Sequence, residues 1–300
     1  MSQQVETGKA IRQTGVRSRV AVSKRFRMGA LGLCLVLPSF LLLVALVIVP
    51  IIGAVLTSLH TDTGKFTLQY YSLMFTDPVM RSDIIFTIKV TLLSTLATLV
   101  VSYPLSVYLR FGKGFVINWI QRLYFIPMFI PSVIATYSLI ALYGQHGWMD
   151  TILHHMGNSH YPKIIFALRG LILSQLWFHI PFTTMLLTSS LEGVPNSQIE
   201  GARDIGANYF QILLKIIIPL TSKTTLVAIT FIFMGVIGGY TAPYMLGPNA
   251  PQMLGVLIEQ TFGVYLEPAQ ASALAVLMFL LCTIVGVFYI RSMIKDNVEN

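Results

Sequence analysis

Three glycine–lysine pairs, Gly8-Lys9, Gly64-Lys65 and Gly112-Lys113, could each begin a phosphate cradle, and all three have the wrong neighbours for one. A nucleotide loop of the form G-x-x-x-x-G-K-[ST] needs a glycine upstream and a hydroxyl after the lysine, so that backbone N–H groups and a metal-binding oxygen surround the phosphates. Here the lysines are followed by Ala10, Phe66 and Gly114. The paired histidines His154 and His155 are adjacent in sequence, and adjacent positions on a helix do not face one another. They also lack the H-E-x-x-H spacing of a metalloprotease. Cys34 and Cys282 fall inside apolar runs without metal-ligand spacing, as packed or lipid-facing thiols do. No nucleophile stands at workable spacing from a base. The expectation is a non-catalytic chain that binds no metal or cofactor of its own.

What positions the few remaining ionisable groups is a set of apolar segments. The chain has 300 residues, of which 55% are hydrophobic and only 11% charged, with a mean hydropathy of +0.73. Soluble domains carry about 25% charged residues. Several runs are apolar over about 18 residues or more, enough for a helix to cross a hydrocarbon core of roughly 30 Å, and none alternates as a membrane barrel strand would. The expected fold is an all-α membrane protein with about six transmembrane helices. The spans are placed near 28–59, 84–109, 117–143, 164–190, 216–237 and 269–290. The first is too long for the apolar core of a signal peptide. Pro127 and Pro131 fall inside the third, Pro181 inside the fourth. Residues 60–83, 144–163 and 238–268 read as outer loops, the last with a partly inserted segment.

A net charge of +8 resembles a nucleic-acid signal, but seven of the twenty Lys and Arg residues sit in the first 27 positions. The inner loops and the C-terminal tail bring the total on that side to fifteen of twenty, which marks it as cytoplasmic. Both termini are therefore expected inside, with a basic tail over 1–27, one membrane domain over 28–295 and a short tail over 296–300. No nucleic-acid partner is expected. Ionisable side chains at membrane depth are functional candidates by default. Here they are Lys89, Arg169 and His179, with Gln175 one helical turn before His179. Lys89 and Arg169 are near enough to the outer interface to snorkel. His179 can bond a carbonyl freed by Pro181, or line a cavity. Glu259 in the outer segment can hold a cationic ligand or guard an entrance, or stand as an ordinary solvated acid.

The longest polar interval on the inner side, Leu191 to Lys223, holds a short amphipathic helix. Pro195 breaks the chain, Asn196 or Ser197 is expected to cap the new helix, Glu200 to lie in its first turn, and Gly206 to end it in a left-handed turn. Ile199, Ala202 and Ile205 share one side, with Glu200, Arg203 and Asp204 on or beside the other. So short a helix is marginal alone and needs a surface to dock on. Glu200-Gly201-Ala202, then Gly206, Ile216 and Ile218-Pro219, follow the spacing E-A-A-x3-G-x9-I-x-L-P. This resembles the cytoplasmic EAA loop of ABC-importer permeases, with Gly201 in place of the first alanine and Ile218 in place of leucine.

That resemblance implies a coupling helix seated in a cleft of a separate ATPase, which would hold the ATP and magnesium. Glu200 would be the charged contact, Gly201 and Ala202 would allow close approach, Gly206 would permit the turn, and Pro219 would set the entry to the fifth span. Arg203 and Asp204 would complete the coupling surface or pair with surface neighbours. It also implies a second, non-identical permease and an extracytoplasmic solute-binding protein. Tyr137–Met149 (YSLIALYGQHGWM) and Tyr240–Phe262 (with TAPYMLGP and VLIEQTF) are similar to permeases for polyamines. Tyr137, Gln175, His179, Tyr240 and Glu259 are the candidate lining of the path. An ion-coupled transporter working without an ATPase is the alternative; it would want intramembrane carboxylates and inverted repeats, which are not evident. A membrane enzyme lacks its acid, base and nucleophile.

Overall fold

A computed structural model of the chain describes residues 34–61, 63–157 and 162–298, with side chains described as far as 294. The basic tail over 1–27 and the start of the first apolar run therefore lie outside the described residues. Residues up to Leu56 form one compact unit and Thr57–Asn300 another. The described residues of the first unit lie in helix α1 (Cys34–Ser58). It runs through Pro50 because a π-turn over Val44–Ile48 precedes the proline and shifts the backbone bonding by one residue. Proline lacks an N–H and crowds the carbonyl four residues back, and a π-turn relieves both.

In the second unit, α2 (Gln69–Thr76) is followed by α3 (Pro78–Phe111). Asp77 caps α3, its carboxylate accepting from the N–H groups of Val79 and Met80 at 2.8 and 2.9 Å. The second span thus begins before Ile84, within what reads in sequence as an outer loop. The third expected span is not one helix. It consists of α4 (Phe115–Leu123), a 3-10 turn over Ile126–Phe129 and α5 (Ser132–Tyr143), continuing into α6 (Trp148–His155), with a 108° bend at the break. Pro131 forces Ile130 out of the helical region, to φ −88° and ψ 121°, so the two prolines end one helix and start the next.

Next come α7 (Leu168–Glu192), α8 (Asn196–Asp204) and α9 (Tyr209–Ile237). The segment that the sequence reads as an outer loop contains two helices, α10 (Thr241–Leu246) and α11 (Leu254–Gly263). Finally α12 (Pro268–Val298) runs on past the end of the sixth expected span, placed near residue 290. Among the described residues five helices are long and apolar enough to cross a membrane, or six if the bent pair is one span.

Helices α3 and α7 form the centre. Small and hydroxyl residues of α3 are buried every third or fourth position: Thr87, Thr91, Ser94, Thr98, Ser102 and Ser106. Helix α7 buries Ser174, Thr183 and Thr184, and Ser106 Oγ lies 3.2 Å from the Thr184 carbonyl oxygen. Small side chains let two backbones approach closely, the usual packing between helices in lipid. Leu92, Leu96 and Val100 of the same helix point outward. Hydroxyls inside and leucines outside invert the pattern of a soluble domain, as expected where the surroundings are hydrocarbon. Helix α9 crosses both, with Tyr103 Oη 2.7 Å from Thr221 Oγ1, and Val90, Leu171, Ile232, Val236, Leu246 and Met253 close an apolar cluster.

Candidate functional site

The short helix expected in the inner loop is α8, and its two ends are fixed differently from one another. Pro195 occupies the N-cap position, and no side chain caps the helix. Asn196 is already the first helical residue, so neither it nor Ser197 makes the predicted cap. Asn196 Oδ1 instead accepts from Arg110 Nη2 at 3.2 Å, while Arg110 Nε donates to the Leu191 carbonyl at 3.3 Å. Because the helix starts at Asn196, Glu200 falls in its second turn rather than its first. At the other end Gly206 has φ +86°, Gly206 N–H donates to Arg203 O at 2.8 Å, and Ala207 N–H donates to Ala202 O at 3.0 Å. These two bonds make a Schellman motif, with glycine in the left-handed position.

Docking of the helix onto its own chain is narrower than the sequence predicts. Ile199 is buried with Leu191, Val194, Ile212 and Ile217, and Ala202, Val107 and Phe111 pack against them. Ile205, expected on the same side, is 87% exposed, because the chain has left the helix there and turns at φ −88°, ψ 10°. Glu200, Gly201, Arg203 and Asp204 are all exposed, and a Cβ at Gly201 would meet nothing within 4 Å. The Arg203 guanidinium stacks 5.1 Å over the Tyr209 ring. Tyr209, Phe210 and Ile205 thus add an exposed apolar rim to the charged face.

Helix α9 starts at Tyr209, earlier than its apolar run implies, with Asn208 and Gln211 bonding each other's backbone N–H groups at 2.8 and 3.0 Å. This capping box is readable as Asn-x-x-Gln and is hidden in sequence only by the apolar run that follows it. Pro219 therefore lies inside the helix rather than at its entry. The π-turn over Leu213–Ile217 accommodates it, with Ile218 N–H donating to Leu213 O.

The candidate path residues fall into two groups. Tyr137 lines a cavity of about 420 Å³ together with Tyr244, Asn249, Gln252 and Gln260. Tyr240 stacks on Tyr244, centroids 5.2 Å apart and planes 24° apart. Desolvation first, then the Glu259 carboxylate, then Tyr244, push the Tyr240 phenol above its ordinary pKa, while neither Tyr240 nor Glu259 is among the residues that line the cavity. Gln175 and His179 are elsewhere, packed against the glycine-bearing end of α9. A Cβ on Gly235 would lie 2.5 Å from His179 Nε2, and one on Gly239 would lie 3.7 Å from Gln175 Nε2. The His179 ring bonds the Gln175 carbonyl at 2.9 Å, not the Trp177 carbonyl that Pro181 frees. Lys89 and Arg169 are exposed.

Sequence reasoning misses Asp83, because it places that residue in a loop. Asp83 is 3% exposed, and its Oδ1 accepts from the Gln252 N–H at 2.8 Å. One turn on, Thr87 Oγ1 accepts from the Leu254 N–H at 2.9 Å. A carboxylate four residues before a threonine, on the buried face of a helix, is the available signal.

The described residues form a helical bundle with a short, Schellman-closed helix at one end and a polar cavity at the other. Residues 102–294 match the model of the binding-protein-dependent transport system inner membrane component, and the chain belongs to that family. It is 28% identical over 183 residues to the spermidine/putrescine transport system permease protein PotB of Escherichia coli, covering 61% of this chain and 66% of that one, just under two thirds of the relative's length. It is 25% identical over 195 residues to the thiamine transport system permease protein ThiP of Haemophilus influenzae, covering 65% of this chain and 36% of that one. The crystal structure of a bacterial alginate ABC transporter, in complex with an alginate pentasaccharide-bound periplasmic protein, superposes with a TM-score of 0.78 at 16% identity. The superposition covers 89% of this chain and 94% of that one, a likeness of fold.

Proposed function

We propose that the chain is the permease subunit of an ATP-driven, binding-protein-dependent importer, forming half of the translocation path for a small solute, with a polyamine favoured. In this reading α8 docks in a cleft of a separate ATPase, which binds and hydrolyses ATP with magnesium; this chain binds no cofactor. A second, non-identical permease completes the path, a solute-binding protein delivers the solute from outside, and both termini face the cytoplasm. The observation that carries the reading is α8 itself. Its ends are tied by Arg110 and by the Gly206 turn, while Glu200, Gly201, Arg203 and Asp204 remain open to a partner.

Closure of the ATPase would push α8 as a unit, because Ile199 seats it on the inner ends of α3, α7 and α9. Support for a polyamine comes from the PotB relatives and from the stacked tyrosines beside Glu259, since aromatic faces and a carboxylate both attract ammonium groups. The thiamine permease among the relatives keeps other small solutes in play. The test is Glu200→Lys in the assembled importer. It should dissociate or uncouple the ATPase and abolish ATP-dependent uptake of spermidine, with membrane insertion unchanged. A normal complex with normal uptake would refute the docking role, and uptake driven by an ion gradient without any ATPase would refute the class.

A further inference from the structure

We infer that Asp83 and Thr87 are positioning residues that carry the movement of α3 to the wall of the outer cavity. Helix α3 is a single 34-residue rod, continuous through Pro104. Its inner end holds α8 through Arg110, bonded to Asn196 and to the Leu191 carbonyl. Its outer end holds the start of α11. The N-cap residue of α11, Met253, supplies no side-chain cap of its own. Asp83 Oδ1 and Thr87 Oγ1 take the cap's place from another helix, accepting from Gln252 and Leu254 N–H groups, while Thr87 Oγ1 also donates to the Asp83 carbonyl at 2.8 Å.

Both residues are buried, Thr87 fully. Pulling residues 252–254 away from α3 would strand a buried carboxylate and free two backbone donors, so this segment moves with the helix. Gln252 and Met253 are part of the cavity wall, and Gln252 Oε1 is itself buried without a hydrogen-bond partner. Between the two ends, Ser94, Thr98 and Ser102 of α3 and Thr183 and Thr188 of α7 have hydroxyls that bond nothing. Directional bonds hold α3 to α8 and to α11 at its tips, and Ser106 and Arg110 bond the Thr184 and Leu191 carbonyls of α7 near the same end as α8, so α7 moves with α3. A displacement of α8 becomes a displacement of the cavity wall.

The inference rests on the importer reading but not on the identity of the solute, and its test does not need the solute. In the assembled complex, with Cys34 and Cys282 replaced by serine, Asn249→Cys places a reporter thiol at the cavity. Its labelling rate by a membrane-impermeant maleimide should differ at least about fivefold between nucleotide-free and ATP–vanadate-trapped states. Asp83→Ala and the isosteric Thr87→Val should bring that ratio close to one, and Thr87→Ser should restore it. If Asp83→Ala does not assemble, the two Thr87 variants decide. An unchanged ratio in Thr87→Val, or no nucleotide-dependent difference in the native background, overturns the inference. Intact labelling shifts with no spermidine uptake would instead overturn only the polyamine reading.

Discussion

Arg110 Nη2 lies 3.2 Å from Asn196 Oδ1, a contact between the last turn of α3 and the first residue of α8 across 86 positions of sequence. With the Arg110 Nε bond to the Leu191 carbonyl, it ties one side chain to both ends of the α7–α8 connection. Arg110→Ala should loosen α8 without unfolding the bundle. The contact is partly exposed, so its removal is worth about 1 kcal/mol, a roughly fivefold loss of ATPase-coupled uptake. Arg110→Lys should recover little, since a lysine cannot reproduce the two-pronged geometry. Uptake and ATPase co-purification measure this, and native values for Arg110→Ala would show that the tie is ornamental.

Two glycines, one within α8 and one in the turn that closes it, should behave oppositely. Gly206 sits at φ +86° with open space where a Cβ would stand, so the cost of Gly206→Ala is purely backbone, about 1–2 kcal/mol. Gly206→Asn should cost less, because asparagine tolerates the left-handed region. Limited proteolysis of the inner loop would report the order Gly, Asn, Ala; equal cutting of all three would contradict the Schellman assignment.

Gly201 is helical and equally unobstructed, so Gly201→Ala should stabilise α8 by about 0.5–1 kcal/mol in the chain alone. Any loss of uptake in that variant must then come from a partner that approaches closer than a methyl group allows. Thermal unfolding of the purified chain, set beside uptake by the assembled importer, separates the two effects. A rise in stability with undiminished uptake would show that no partner needs glycine there.

Much of the fold is legible in the sequence because lipid-spanning helices advertise themselves locally. Runs near 84–109, 164–190 and 216–237 lie within α3, α7 and α9, apart from an overhang of four residues before α7, and Gly206 marks its turn correctly. Their ends are less visible, since Asp77 and Asn208 cap helices from polar stretches that look like loop. Pro127 and Pro131 announce a distortion, but a 108° break depends on what α4 and α5 pack against, which spacing does not encode. Asp83 is invisible for a related reason: its partner lies 169 residues away, and nothing local distinguishes a solvated loop acid from a buried clamp. Ile205 shows the converse error, an apolar residue in helical register that the chain exposes by ending the helix one residue early.

The close approach of α9 to α7 gives the last prediction. His179 Nε2 occupies the space that a side chain on Gly235 would need, 2.5 Å from its Cβ position. Gly235→Ala should therefore displace the ring, disturb its bond to the Gln175 carbonyl and destabilise the bundle by about 1–3 kcal/mol, the usual cost of overpacking. His179→Ala alone removes the ring and leaves a void. Combined, the two substitutions should be less damaging than their sum by about 1 kcal/mol or more, since the alanine methyl enters the vacated space. Thermal unfolding of the four purified forms closes the cycle. Strict additivity would mean that the ring swings aside at no cost, and that Gly235 is glycine for some reason other than His179.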